Sequence, residues 1–269
     1  MNPTPPSLLP RRYRLFILLG GFFVTNALLA EFIGVKIFSL ERTLGWPLLE
    51  WQLHSDLPAL SFNLTAGVLL WPFVFILTDV INEYYGKRGV RFLSFLTAVL
   101  ILYAYGMIWL AIRLEPADFW KISEPAFAPG EPLNMDRAFR AVLGQSNWII
   151  VGSLVAFLIG QIVDVTVFSL LRNITGRKLI WVRATGSTLV SQLIDSFVVL
   201  FIAFYIGAGW SLGLVLGIGV INYLYKVSAA VLLTPLLYLL HGVIDRYLGR
   251  DTAEELSEQA ADAARKQWI

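Results

Sequence analysis

The chain has 269 residues, of which 57% are hydrophobic and only 15% charged, and its formal net charge is +2. Against about 45–50% apolar and about 25% charged in soluble domains, this balance excludes a disordered chain, a collagen, a coiled coil and a basic nucleic-acid-binding arm. With no cysteine and two histidines, disulfides, thiolate metal sites, cysteine nucleophiles and histidine metal clusters are excluded as well, and no cofactor is expected.

Residues 1–12 read as a disordered cytoplasmic tail, with Pro3, Pro5, Pro6 and Pro10 breaking any periodicity. Arg11, Arg12 and Arg14 then open a long apolar run. The pattern is that of a signal peptide's basic and apolar regions, but the run is too long and no small-x-small cleavage site precedes Glu31, so a retained helix is expected. Six apolar spans, 14–39, 61–84, 91–113, 147–171, 186–207 and 211–241, are each long enough for a bilayer core of about 30 Å. They predict an all-α integral membrane fold, a six-transmembrane-helix bundle over residues 13–249. The last span is overlong and should tilt or extend beyond the bilayer. Between the third and fourth spans, the loop Leu114 to Ser146 holds four prolines and an amphipathic stretch, Met135 to Leu143, expected as a short helix over the outer mouth. In the tail, 250–269, Thr252 and Glu255 stand at capping-box spacing, predicting a short, exposed cytoplasmic helix.

Basic residues set the orientation. Fourteen fall on the side of the N-terminus and five on the other, so both termini are expected in the cytoplasm. Each half of the chain also has a Gly-basic-basic turn on the inner side, Gly86-Lys87-Arg88 and Gly176-Arg177-Lys178. Paired turns are compatible with an inverted repeat of three helices plus three.

A charge near the bilayer centre costs about 2.5–3.5 kcal/mol on insertion scales, yet, apart from the boundary residues Arg14, Arg91 and Arg113, seven charged residues fall within the expected spans: Glu31, Lys36, Asp79, Glu83, Asp164, Asp195 and Lys226. Asp79/Glu83 and Asn222/Lys226 are four apart, and Gln161/Asp164 and Gln192/Asp195 three apart, so each pair shares a helix face. Asn82 lies in the same stretch as Asp79 and Glu83. Thr188, Gln192 and Asp195 make a stripe at i, i+4, i+7. Lipid cannot solvate such stripes, so they must face one another or a wet cavity. The bland alternatives are definite. Glu83 near the inner interface could be solvated, Lys36 could snorkel to the headgroups, Glu31 could pair with Lys36 or Lys226, and Lys226 could neutralise one acid. Only one lysine lies that deep, so most of the acids remain unmatched. Trp71-Pro72-Phe73 falls mid-span, where Pro72 is expected to kink the helix and Trp71 could offer a flat ligand a stacking face.

The polar stripes sit in blocks that resemble the queuosine-precursor transporter family, also described as vitamin-uptake-like transporters. The first block is Pro72-Phe73-Val74-Phe75-Ile76-Leu77-Thr78-Asp79-Val80-Ile81-Asn82-Glu83-Tyr84-Tyr85-Gly86-Lys87-Arg88. Gly152 to Asp164, Ser187 to Ser196 and Asn222 to Val227 follow in family order, with a weaker likeness from Thr25 to Lys36. The resemblance implies a multi-pass protein of the inner (plasma) membrane that imports a 7-deazaguanine: 7-cyano-7-deazaguanine, 7-aminomethyl-7-deazaguanine or queuine. It implies a nucleobase-like small molecule and membrane lipid as partners, with a homodimer as one assembly, and no nucleic acid.

Such a base presents a ring N–H beside an exocyclic amine, a pair of donors that one carboxylate accepts in a bidentate, charge-assisted fashion. Asp195, Asp79 and Asp164 are the candidates, Asp195 favoured by its depth. Gln192, Gln161 and Asn222 would read the carbonyl and ring acceptors, and Trp71 would stack. Unmatched acids would carry protons in a proton-coupled mechanism; facilitated diffusion with trapping is the other possibility. Three rivals stand beside this reading. A substrate-capture subunit of an energy-coupling-factor vitamin transporter also has six helices. An intramembrane serine hydrolase would use Ser187 and His241, but no matching motif surrounds Ser187. A purely structural membrane protein has no need of deep acids.

Overall fold

Arg11–Ile33 forms the first helix, α1, in the computed structural model, which describes residues 9–49, 61–124, 130, 132–144, 147–175 and 179–265. Most of the expected N-terminal tail and the turn Gly176-Arg177-Lys178 lie outside the described residues. Helix α1 stops short of the expected residue 39 because Gly34 ends it. The chain then forms strand β1 (Ile37–Ser39), which pairs antiparallel with β2 (Asn63–Thr65), Phe38 opposite Leu64. A short helix α2 (Leu40–Leu44) follows β1, capped by the Ser39 hydroxyl and by Gly45 in the left-handed region. Lys36 therefore lies outside the helix and is exposed, and its carbonyl accepts the Ala66 N–H at 2.8 Å.

The second expected span is also not helical from its start. After β2 comes a 3-10 turn, Ala66–Leu69, and helix α3 (Trp71–Ile112) begins only at Trp71. Pro72 thus occupies the first turn, where its missing N–H is not needed and its fixed φ suits the helix. The kink expected at Trp71-Pro72-Phe73 does not occur. Gly67 makes this close entry possible: a Cβ there would come within 2.6 Å of the Ala30 carbonyl oxygen of α1. The arm 71–85 is about 22 Å long at 1.5 Å per residue, short of the ~30 Å core of a bilayer. The 3-10 turn adds about 8 Å.

Gly86, at φ 68 and ψ −176, breaks α3 into arms 71–85 and 87–112. The chain reverses there. The Tyr85 ring packs tilted against Phe16 at the start of α1, with ring centroids 4.9 Å apart, and Gly89 also lies beside Phe16. Gly67 and Tyr105 lie instead beside Ala30 and Phe32 at the end of α1. Thr78 and Ser94, equidistant in sequence from Gly86, both reach the Gln161 amide oxygen, at 3.1 and 3.5 Å.

Beyond α3, α4 (Asp118–Lys121) leads to the small hairpin of β3 (Ile122–Ser123) and β4 (Leu133–Asn134). Helix α5 (Met135–Leu143) has the predicted bounds, its first turn capped by the Asn134 side chain accepting the Arg137 N–H at 2.9 Å. Helices α6 (Asn147–Thr175) and α7 (Ile180–Leu200) pack antiparallel in the most extensive helix interface, and α7 continues as a π-helical turn, Phe201–Ile206. The overlong last span is two helices, α8 (Leu212–Leu232) and α9 (Thr234–Leu248). Pro235 sits at the start of α9, where it cannot continue the preceding helix and restricts the residue before it.

Gly249, also at positive φ, turns the chain into α10 (Arg250–Arg265). This helix starts before Thr252 and is not simply exposed. Ala253, Leu256, Ser257 and Ala260, at helical spacing, are buried against α3. The main apolar core joins Phe23 of α1, Val80 and Ile81 of α3, Phe157 and Phe168 of α6, and Ile244 of α9. Among the described residues, five helical segments are long and apolar enough to cross a membrane, with the two arms of α3 counted as one. An Arg11 guanidinium nitrogen donates to the Tyr247 carbonyl at 3.2 Å, so the start of α1 and the end of α9 share one end of the bundle, the termini end. Helix α5 and the π turn lie at the opposite, far end.

Candidate functional site

The residues singled out in the sequence converge in the interior, in three settings. The first is a cavity of about 480 Å³ including its mouth, between α3, α7, α8 and α9. Trp71 and Phe75 give it an aromatic wall, and Asp79, Thr188, Gln192 and Lys226 line it. Trp71 is steadied by Phe157 and Phe75, at ring-centroid distances of 5.7 and 6.2 Å. Asp79 Oδ1 and both amide atoms of Gln192 are buried and make no hydrogen bond. A buried polar atom left this way costs about 1–3 kcal/mol, and these two side chains project from facing helices onto the same cavity.

The second setting is a larger cavity toward the far end, about 1450 Å³ including its mouth. Glu31, Asp195, Asn222, Lys226 and Trp71 line it. Its lining includes Thr65 of β2 and Gly67 and Val68 of the 3-10 turn, which suits the rule that backbone departing from the α-helix at membrane depth is tolerated where it lines a cavity. Glu31 accepts the Ser153 hydroxyl in a short hydrogen bond and lies 3.5 Å from the Tyr105 hydroxyl. Lys226 pairs with Asp195 at 2.5 Å. The polar stripe of α7 thus spans both cavities, Thr188 and Gln192 on one side and Asp195 on the other.

Asn82, Gln161 and Asp164 are buried beside these cavities and line neither. Asp164 Oδ1 accepts the Ser191 hydroxyl at 3.0 Å, while Asp164 Oδ2, Gln161 Nε2 and Asn82 Nδ2 make no hydrogen bond.

Glu83 occupies the third setting, a clamp at the termini end, and is not solvated. Its carboxylate accepts Arg183 at 2.8 Å, Arg172 at 3.3 Å and the Ser257 hydroxyl at 2.9 Å. Arg172 also donates to the Ser257 carbonyl at 2.6 Å, so α3, α6, α7 and α10 are tied at one point. Arg183 lies over the Phe168 ring, 5.4 Å from its centroid.

Arg172 and Arg183 enter the sequence argument only among the fourteen basic residues that set the orientation. The signal that could have found them is spacing. Gln161, Asp164, Phe168 and Arg172 follow one face of α6, and Arg183, Ser187 and Ser191 follow one face of α7; all of these are buried. Ser153, Tyr105 and Ser257 had no comparable mark. Among the described residues, no three His, Asp or Glu side chains converge as a metal site.

A bundle of apolar helices enclosing cavities that carry a few charged and amide side chains suits a membrane transporter. Residues 65–240 match the family described as "Putative vitamin uptake transporter", and the chain belongs to that family, which is one of transporters and not of enzymes. The chain is 31% identical over 184 residues to the "Probable queuosine precursor transporter" of Bacillus subtilis (strain 168), covering 66% of this chain and 72% of that protein. It is 28% identical over 182 residues to a protein of the same description from Haemophilus influenzae, covering 64% and 66%. It is 26% identical over 214 residues to the "Queuosine precursor transporter" of Escherichia coli (strain K12), covering 76% and 83%. No solved structure matches the chain.

Proposed function

We propose that the protein imports a queuosine precursor of the 7-deazaguanine class and seats it in the cavity lined by Trp71, Asp79 and Gln192. One observation carries the assignment of the seat: an unpaired carboxylate oxygen and an unpaired amide face the same cavity beside an aromatic wall. Asp79 accepts the ring N–H and the exocyclic amine, Gln192 reads the carbonyl, and Trp71 stacks on the ring face. Asp195, the acid favoured by depth alone, is engaged by Lys226, which moves the carboxylate role to Asp79.

The reversal at Gly86 supports six crossings: α1, the two arms of α3, α6, α7, and α8 continued by α9. The excess of basic residues at the termini end supports a cytoplasmic location for both termini in the inner membrane. Residues 13–249 then form the transporter domain, flanked by the N-terminal tail and the C-terminal segment 250–269. Proton coupling is the form of energisation we favour, because Asp164 is buried, keeps one oxygen unpaired and lines neither cavity. Vesicles test it: collapse of the proton gradient should stop accumulation, and undiminished accumulation would exclude it. The alternative, a capture subunit of an energy-coupling-factor transporter, requires copurifying ATPase subunits; uptake by the purified chain alone rules that out.

The test of the substrate is thermal stabilisation of the purified protein by the three 7-deazaguanines, guanine and a panel of vitamins. A substrate raises the midpoint with concentration by mass action. Stabilisation by a vitamin and by none of the three bases would overturn the proposal.

A further inference from the structure

The two cavities share two lining side chains, Trp71 and Lys226. Trp71 stands in the first turn of α3, wedged between Phe157 and Phe75. Lys226 reaches from α8 to Asp195 on α7, and the two side chains keep only 11% and 18% of their surface. Along α7, Gln192 faces one cavity, and Asp195, one turn further on, faces the other.

We infer that Trp71 and the Lys226–Asp195 ion pair form the gate between an entry cavity at the far end and the cavity of Asp79 and Gln192, and that a passing molecule opens it by replacing each ion's partner. Two ions withdrawn from water are tolerable only while each has a counterpart. Parting them needs a molecule that offers donors to the Asp195 carboxylate and an acceptor to the Lys226 ammonium together. A flat heterocycle with adjacent N–H donors and a carbonyl does both. A solute with only one of these leaves an ion unmatched, and the gate stays shut. The gate is therefore a specificity device separate from the seat. The inference rests on the transport reading above for what passes, but not on the role of Asp79.

The chain has no cysteine, so single-cysteine reporters have no background. Ile149→Cys reports on the far cavity and Thr185→Cys on the other. A membrane-impermeant charged maleimide is applied to intact cells and to inverted vesicles, with no substrate present. In the otherwise unchanged protein, the two reporters should label from opposite faces. Lys226→Met, and Asp195→Asn with Lys226→Met, should speed labelling from the closed face about tenfold, the factor that a shift of ~1.4 kcal/mol in the closed-to-open balance produces. The double variant leaves no unmatched buried charge, so it decides the matter if the single variant does not fold. Labelling of both reporters from one face at the start, or unchanged labelling in the double variant, overturns the gate. Since no substrate enters the assay, opposite-face labelling in a protein that binds no 7-deazaguanine would defeat the substrate reading and leave the gate standing.

Discussion

Asp79 and Glu83 lie one helical turn apart on α3, and each retains 4% of its surface. Glu83 is wrapped by two guanidiniums and a hydroxyl; Asp79 keeps an oxygen with no hydrogen-bond partner. Burial and residue type do not separate the two acids, but partnering does. A buried acid whose partners come from several helices holds those helices together. One whose valence is left open on a cavity wall is, on the proposed reading, available to a ligand.

The contrast is sharpest if each acid is neutralised in turn. Glu83→Ala removes the carboxylate that two buried arginines share, and removing one member of a buried pair costs about 3–5 kcal/mol. A large fall in the thermal midpoint in detergent is expected; a midpoint within error of the parent would show that the clamp holds nothing. Asp79→Asn should do the opposite. Stability should stay level or rise, since an unpaired buried acid is removed, while base affinity falls by about 1.5–3 kcal/mol, the worth of a charge-assisted hydrogen bond. Titration of the variant with the best-stabilising base checks this, and an unchanged affinity would remove Asp79 from the seat.

Gly86→Ala probes the turn between the two arms. Its Cβ would meet Ala260 at an ordinary 3.5 Å, so the cost is that of the backbone itself, φ 68 with ψ −176, a region held almost only by glycine, on the order of 1–3 kcal/mol. Chemical denaturation should show that loss with ligand affinity preserved; a loss of affinity at full stability would contradict it. The smallest effect is expected at Ser257→Ala. The hydroxyl donates to Glu83 and accepts from Arg172 at 2.7 Å, but those two stay paired with each other and Arg172 keeps the Ser257 carbonyl, so about 1 kcal/mol is lost, and protease cleavage within α10 should quicken slightly. Cleavage at the parental rate would mean that the hydroxyl adds nothing to the docking.

Much of this was legible in the sequence, for definable reasons. The apolar spans located the long helices because bilayer thickness fixes their length, and the stripe Thr188, Gln192, Asp195 emerged intact because helical spacing fixes a face. The junction before α3 was not legible. Residues 61–70 are as apolar as a helix, and what makes them strand and 3-10 turn is the pairing of β2 with β1 and the approach of Gly67 to Ala30, both long-range. The meeting of Lys226 with Asp195 was one of several pairings that residue spacing allowed. Fold geometry chose it, and in doing so left Asp79 and Gln192 open.

Arg172 and Arg183 also have a history within the molecule. An arginine at a helix end resists being carried across a membrane, so each is expected to hold its segment in place during insertion, before α3, α6 and α7 meet. Once the bundle closes on Glu83 they are withdrawn from the surface. The same two side chains are then expected to serve first as signposts for the nascent chain and later as rivets in the finished one. Variants at these positions should be scored for inverted insertion as well as for lost stability.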